Sequence, residues 1–141
     1  MNKPMNISAE KARLCGQSRF TVEDLSTLVA ILRSPEGCDW DVEQTHESLR
    51  SCLVNETAEV VEAIDNADNT SLKEELGDLL LQIIFHTIIA EEEGAFTMED
   101  VVTEICKKML FRHPHVFKGE EKPDWNAIKA AEKELRRTGK W

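Results

Sequence analysis

The sequence predicts an all-α protein, a four-helix-bundle-type domain with an additional C-terminal helix, assembled as a homo-oligomer. Three observations carry this expectation. No run of alternating apolar and polar residues leads into a hairpin turn, so nothing reads as a paired strand. Apolar residues instead recur at three- and four-residue spacing in successive stretches. One of these stretches is apolar nearly all round: Leu76, Leu79, Leu80, Leu81, Ile83, Ile84, Phe85, Ile88 and Ile89 cover almost every azimuth of a helix. Such a helix must be covered on all sides. A chain of 141 residues can hardly supply that cover by itself, which points to a homodimer or a dimer of dimers.

The elements follow in order. Residues 1–20 are polar and poorly periodic and read as a loose, flexible arm, leaving residues 21–141 as a single domain. A first helix is expected from Val22 to about Arg33, with Thr21 as its cap and Leu25, Leu28, Val29 and Leu32 as its apolar face. Ser34-Pro35-Glu36-Gly37 ends it, and Cys38 to Thr45 reads as a loop carrying Trp40 and Asp41. A second helix spans roughly His46 to Ala67, and Asp68-Asn69-Thr70 makes the turn. Ser71 with Glu74 has the spacing of a capping box for the third helix, which continues to Glu93 and stops at Gly94. Thr97 caps a fourth helix that ends before His113-Pro114-His115. A fifth, amphipathic segment follows Pro123, with Asp124 as cap and Trp125, Ile128 and Leu135 as apolar members.

Bulk properties narrow the function. The 27 acidic against 17 basic residues give a formal charge of −10, which argues against non-specific binding to nucleic acid or to an anionic membrane. No stretch approaches the length of a membrane span, and residues 1–20 hold no apolar run of signal-peptide length. Cys15, Cys38, Cys52 and Cys106 form neither a CxxC pair nor a regular framework, and read as reduced thiols of a cytoplasmic protein.

Four carboxylates occupy positions that the apolar pattern assigns to the core. Glu56 falls at the centre of a stripe formed by Leu49, Cys52, Leu53, Val60 and Ala63, with Glu59 one turn on. Asp78 falls among Leu81, Phe85 and Ile89, with Glu75 one turn back. Residues three apart share a helix face, so each pair is a pincer, and two helices joined by a short turn would bring the pincers face to face. Ionised carboxylates left unpaired among apolar side chains are costly. No Lys or Arg lies between Arg50 and Lys73, so a metal cation is the economical partner. Oxygen donors without His or Cys favour Mg²⁺, with Mn²⁺ as a substitute. A di-iron bundle would need Glu-x-x-His pairs on its helices, and only Glu43 with His46 has that spacing. Mg²⁺ held this way completes its shell with substrate phosphates and can assist cleavage of a phosphorus–oxygen bond. Lys108 and Arg112, one turn apart, and Lys73, beside the acidic pairs, are candidate phosphate contacts.

These residues resemble the MazG-like nucleoside triphosphate pyrophosphohydrolases of the all-α NTP pyrophosphohydrolase superfamily. The superfamily pattern is Glu-Glu-x-x-Glu, a spacer, then Glu-x-x-Asp; Glu56, Glu59, Glu75 and Asp78 fill four of its positions. The resemblance extends through Cys38-Asp39-Trp40-Asp41, Glu43-Gln44-Thr45-His46, Gly77-Asp78-Leu79-Leu80 and Arg112-His113-Pro114-His115-Val116-Phe117 to Trp125, Ile128-Lys129 and Glu132. It implies the MazG fold and Mg²⁺-dependent hydrolysis of an NTP or dNTP to the monophosphate and pyrophosphate, by water attack on the α-phosphorus, in a house-cleaning role. It further implies Glu56, Glu59, Glu75 and Asp78 as catalytic metal ligands, and Lys108 and Arg112, helped by Lys73, as the grip on the phosphate chain. The general base stays open between a cluster glutamate and metal-activated water. Many family members carry two tandem copies of the domain; this sequence shows one copy and no internal repeat.

Two positions depart from the family. Asn55 stands where the first Glu of the pattern is usual; it can coordinate or hydrogen-bond but cannot act as a base. Asp39 stands where Pro commonly precedes the Trp, which bears on loop stiffness. Trp40 could stack on a base, although packing at the end of the bundle is the stronger expectation. His113 and His115 are expected to fix a helix terminus, and His86 to be a satisfied core histidine. Two other readings compete. One is a narrower pyrophosphohydrolase acting on dCTP, dUTP or phosphoribosyl-ATP. The other is a helical dimerisation module that binds metal-nucleotide but, through Asn55, turns it over poorly or not at all.

Overall fold

The computed structural model describes residues 3–141. Every regular element among them is helical, and they form two compact units divided between Thr97 and Met98. The first unit holds α1 (Ile7–Cys15), α2 (Val22–Leu32), α3 (Asp39–Glu43), α4 (Arg50–Asp65) and α5 (Asn69–Glu92). The second holds α6 (Met98–Arg112), α7 (Pro114–Phe117) and α8 (Trp125–Arg137).

The loose arm expected over residues 1–20 contains α1. Asn6 caps it by accepting from the Ala9 amide at 3.0 Å, and Arg13 ties it to Asp24 of α2 at 2.6 Å. Only Leu14 of this helix is buried, so there is no apolar stripe for a periodicity argument to find. For α2 the expected Thr21 cap is present and forms a full capping box with Asp24. Its buried face is rotated from the expected one, however: Val29 and Ile31 are buried while Leu28 is exposed. The cause is that α2 packs against both α1 and α5.

After α2 the chain folds back on the helix end, and the Cys38 amide donates to the Leu32 carbonyl at 2.9 Å. A Cβ at Gly37 would lie only 2.1 Å from that same carbonyl oxygen, so this reversal requires glycine. The expected loop Cys38–Thr45 includes the short helix α3. The second long helix begins later than expected: His46–Leu49 is a turn, anchored by Leu49, which is 1% exposed. Asp68, not Ser71, caps α5, accepting from the amides of Thr70 and Ser71 at 3.1 Å each. The aspartate is a strong cap and captures the helix start three residues early. Gly94, at φ 71°, follows the far end of α5.

The short connection from Asn66 to Asp68 makes α4 and α5 antiparallel neighbours, the most extensive helix pairing in the chain. The core of this unit centres on Leu49, Ile84 and Val29. α5 is covered over its C-terminal half, where Ile84, Phe85, Ile89 and Ala90 are buried; Leu76 and Ile83 remain 47% and 43% exposed. In the second unit, polar contacts carry much of the packing. Glu132 of α8, 5% exposed, accepts from Arg112 Nε of α6 at 2.8 Å and from Arg136 Nε at 3.0 Å. The Trp141 ring meets Phe111 edge-on and lies under Arg136. No helix among the described residues is long and apolar enough to cross a membrane.

Candidate metal centre

The α4–α5 hairpin brings the two carboxylate pincers together. Glu56 and Glu59 project from α4, Glu75 and Asp78 from α5, and one carboxylate oxygen from each lies within 4.8 Å of the others. On the same two helices, Val60 and Ala63 of α4 and Phe85 and Ile89 of α5 are buried, as is Leu49 just before α4. Glu56, Glu75 and Asp78 are half-buried, and Glu59 is exposed.

The electrostatics of the cluster are unbalanced. Oε2 of Glu56 and Oε2 of Glu75 are both buried without a hydrogen-bond partner. Burial is the main force pushing the Glu56 pKa up, followed by hydrogen bonding to Glu59 and repulsion from Glu59 and Asp78. Glu75 is pushed up to about 7, first by its hydrogen bond with Glu59, then by burial and by the charges of Glu59, Asp78 and Glu74. Among the described residues, neither Arg50 nor Lys73 makes an ion pair with any of the four. A group of hard oxygen donors with orphaned buried oxygens and excess negative charge fits a hard divalent cation.

The remaining candidates are placed as follows. Asn55 is exposed on α4 beside Glu56, and Lys73 is exposed on α5, two residues before Glu75. Trp40 is 56% exposed on α3, so the expectation that it packs at the end of the bundle is wrong. The backbone around it is what is fixed: Arg33, with its side chain 8% exposed, donates Nη1 to the carbonyls of Asp41 and Gln44 at 2.6 and 2.9 Å, and Nη2 to Glu92 at 2.9 Å. Lys108 is half-buried on α6. Arg112 gives its Nε to Glu132 and its guanidinium stacks 5.1 Å from the Trp125 ring. As expected, His113 secures a helix end, its Nδ1 lying 2.7 Å from the Met109 carbonyl.

His86 is not the satisfied core histidine of the sequence reading. Its Nδ1 meets His46 Nδ1 at 2.8 Å, while its Nε2 is buried without a partner. The roles of Arg33 and of the His46–His86 pair had no signal in the sequence, because each joins residues far apart in the chain.

A family model described as the MazG nucleotide pyrophosphohydrolase domain matches residues 44–117, just over half of the chain and the segment that carries all four carboxylates. The chain belongs to the MazG family. It is 52% identical over 114 residues to the nucleoside triphosphate pyrophosphohydrolase/pyrophosphatase MazG of Thermotoga maritima, covering 79% of this chain and 45% of that one. It is 44% identical over 97 residues to the nucleoside triphosphate pyrophosphohydrolase of Escherichia coli K12, covering 68% of this chain and 37% of the relative. To the uncharacterized protein YabN of Bacillus subtilis it is 44% identical over 127 residues, covering 83% and 26%. The chain therefore spans between about a quarter and a half of the length of these relatives. The matched segment contains the whole α4–α5 hairpin.

Proposed function

We propose that this MazG domain hydrolyses nucleoside triphosphates, ribo or deoxyribo, to the monophosphate and pyrophosphate, with Mg²⁺ or Mn²⁺ as cofactor and nucleotide-pool house-cleaning as its role. The observation that carries the reading is the four-carboxylate cluster with its two orphaned buried oxygens. The activity for which the Thermotoga maritima and Escherichia coli relatives are named agrees with it.

Glu56, Glu59, Glu75 and Asp78 would hold the cation. When bound, the cation offsets the charge of the phosphate chain and polarises the bond that breaks. The hairpin fixes the donors before substrate arrives, which limits the reorganisation needed at the moment of reaction. Water adds to the α-phosphorus, the bond to the bridging oxygen breaks, and pyrophosphate leaves with that oxygen. Glu59, the exposed member of the four, is the route by which the water's proton reaches solvent. Lys73, on the hairpin itself, carries a phosphate contact; Lys108 and Arg112 of the second unit are assigned phosphate contacts by the family resemblance alone, and there Glu132 holds the Arg112 side chain. Trp40, exposed on a backbone that Arg33 holds still, is suited to stack on a nucleobase.

A homodimer is part of the proposal. Val54, Val61 and Ile64 of α4 and Leu76 and Ile83 of α5 are all more than 40% exposed. A second copy would cover these apolar side chains. The four free cysteines agree with a cytoplasmic setting.

The test is to incubate the purified chain with Mg²⁺ and a panel of NTPs and dNTPs, scoring monophosphate, pyrophosphate and orthophosphate separately. Monophosphate with pyrophosphate, abolished by chelator, is the expected result and ranks the substrates. Diphosphate with orthophosphate rejects attack at the α-phosphorus.

A further inference from the structure

The His46–His86 pair lies outside the carboxylate cluster and joins two segments that matter to it. His46 opens the turn His46–Leu49 that leads into α4, and His86 sits in the covered half of α5. The rings are parallel to within 4°, and their Nδ1 atoms are 2.8 Å apart. On its other side His46 presents Nε2 to Glu93 Oε2 at 3.6 Å.

A bond between two imidazole nitrogens needs one donor and one acceptor. His46 can donate from both nitrogens, because His86 Nδ1 and the Glu93 carboxylate lie in its two directions. The Glu93 carboxylate beside His46 Nε2 favours His46 as the ring that carries both hydrogens. His86 Nδ1 is then the acceptor of the pair, and a neutral His86 keeps its own hydrogen on Nε2.

We propose that His46 and His86 form a one-proton clasp, with the proton held on His46 between His86 Nδ1 and Glu93, and that this clasp positions the turn that opens α4. A second proton, on His86, sets two N–H donors against each other and breaks the clasp. Burial, followed by the proximity of His46, pushes the His86 pKa down, which keeps this ring an acceptor.

The surrounding charges leave the assignment intact. On α2, Arg33 is consumed by Glu92 and by two backbone carbonyls. Asp41 and Glu43 of α3, Glu47 of the turn and Arg50 of α4 make no side-chain hydrogen bond or ion pair to either ring among the described residues. Because Arg33 anchors residues 41 and 44 at any ordinary pH, opening is confined to the turn and the start of α4. That is the helix carrying Glu56 and Glu59, so the clasp makes His46 and His86 positioning residues.

The inference does not depend on hydrolysis. Its test is ¹⁵N-imidazole NMR of the full chain from about pH 8 to about pH 4.5, with amide hydrogen exchange followed over residues 46–53. The expected result is two coupled steps. In the first, His46 becomes protonated at both nitrogens while His86 keeps a bare Nδ1. In the second, His86 takes its proton and exchange over residues 46–53 rises about tenfold or more. Glu93→Gln, a change at an exposed side chain, should move the first step to lower pH and leave exchange at neutral pH unchanged. Three results overturn the proposal: a first proton on His86, two rings titrating independently, or a first step that Glu93→Gln does not move.

Discussion

Glu59 of α4 and Glu75 of α5 bring their carboxylates together across the hairpin, an oxygen of each within 4.8 Å of the other, and hydrogen bonding to Glu59 is the leading cause that pushes the Glu75 pKa up to about 7. Two carboxylates that close cannot both ionise cheaply. The metal-free hairpin thus keeps a proton where a cation would sit.

The pH dependence of stability follows from this. The folded pKa of Glu75 lies above its ordinary value of 4.5, so its contribution is fully present below about 4.5 and is lost as pH rises through about 7. Glu56 shifts in the same direction. In chelator, the melting temperature should fall across that interval. Millimolar Mg²⁺ should restore it, most strongly at the upper end. Thermal melting at stepped pH, with and without Mg²⁺, checks this; a metal-free melting temperature that does not decline rejects it.

Glu59→Gln removes a negative charge from the crowded cluster. The metal-free variant should melt at or above the wild-type temperature near pH 7, lose most of the stabilisation by Mg²⁺, and lose about 100-fold or more in turnover. Asp78→Ala should lose activity and Mg²⁺ response in the same way. Calorimetric titration with Mg²⁺ beside steady-state kinetics separates these effects from simple unfolding. Retained Mg²⁺-dependent turnover in either variant removes that residue from the metal site.

Asn55 is exposed beside Glu56, so Asn55→Glu should fold normally. It adds the carboxylate that the family pattern has at this position, and turnover should rise about tenfold or more if that group serves as a base. A wild type that binds nucleotide without product, together with an active Asn55→Glu, would favour the metal-nucleotide-binding module over the enzyme.

Glu132 is 5% exposed and ion-paired to Arg112 and Arg136. Arg112→Ala leaves one side of a buried carboxylate unpaired, and the melting temperature should drop by several degrees. Combining it with Glu132→Ala should give less than the sum of the two single losses. Strict additivity in that cycle would mean the pair contributes nothing.

Much of this was legible in the sequence because its determinants are local. Thr21 and Asp124 cap the helices they were expected to cap, and the acidic pincers needed only three-residue spacing and a short turn to converge. The errors lie where a longer-range or competing contact decides. α1 is held by one buried leucine and an ion pair to Asp24, which leaves no stripe to read. Asp68 outcompetes Ser71 as a cap, and the covered sides of α2 are fixed by α1 and α5 rather than by its own pattern. Trp40, expected to pack at the end of the bundle, has its neighbouring backbone pinned by Arg33 and its side chain left outside.

The three-residue connection between α4 and α5 has one more consequence. All four oxygen donors come from a single uninterrupted hairpin between residues 56 and 78, so nothing distant in the chain must arrive before the donor set exists. Such a unit is portable: it forms from one short segment, wherever in a longer chain that segment stands.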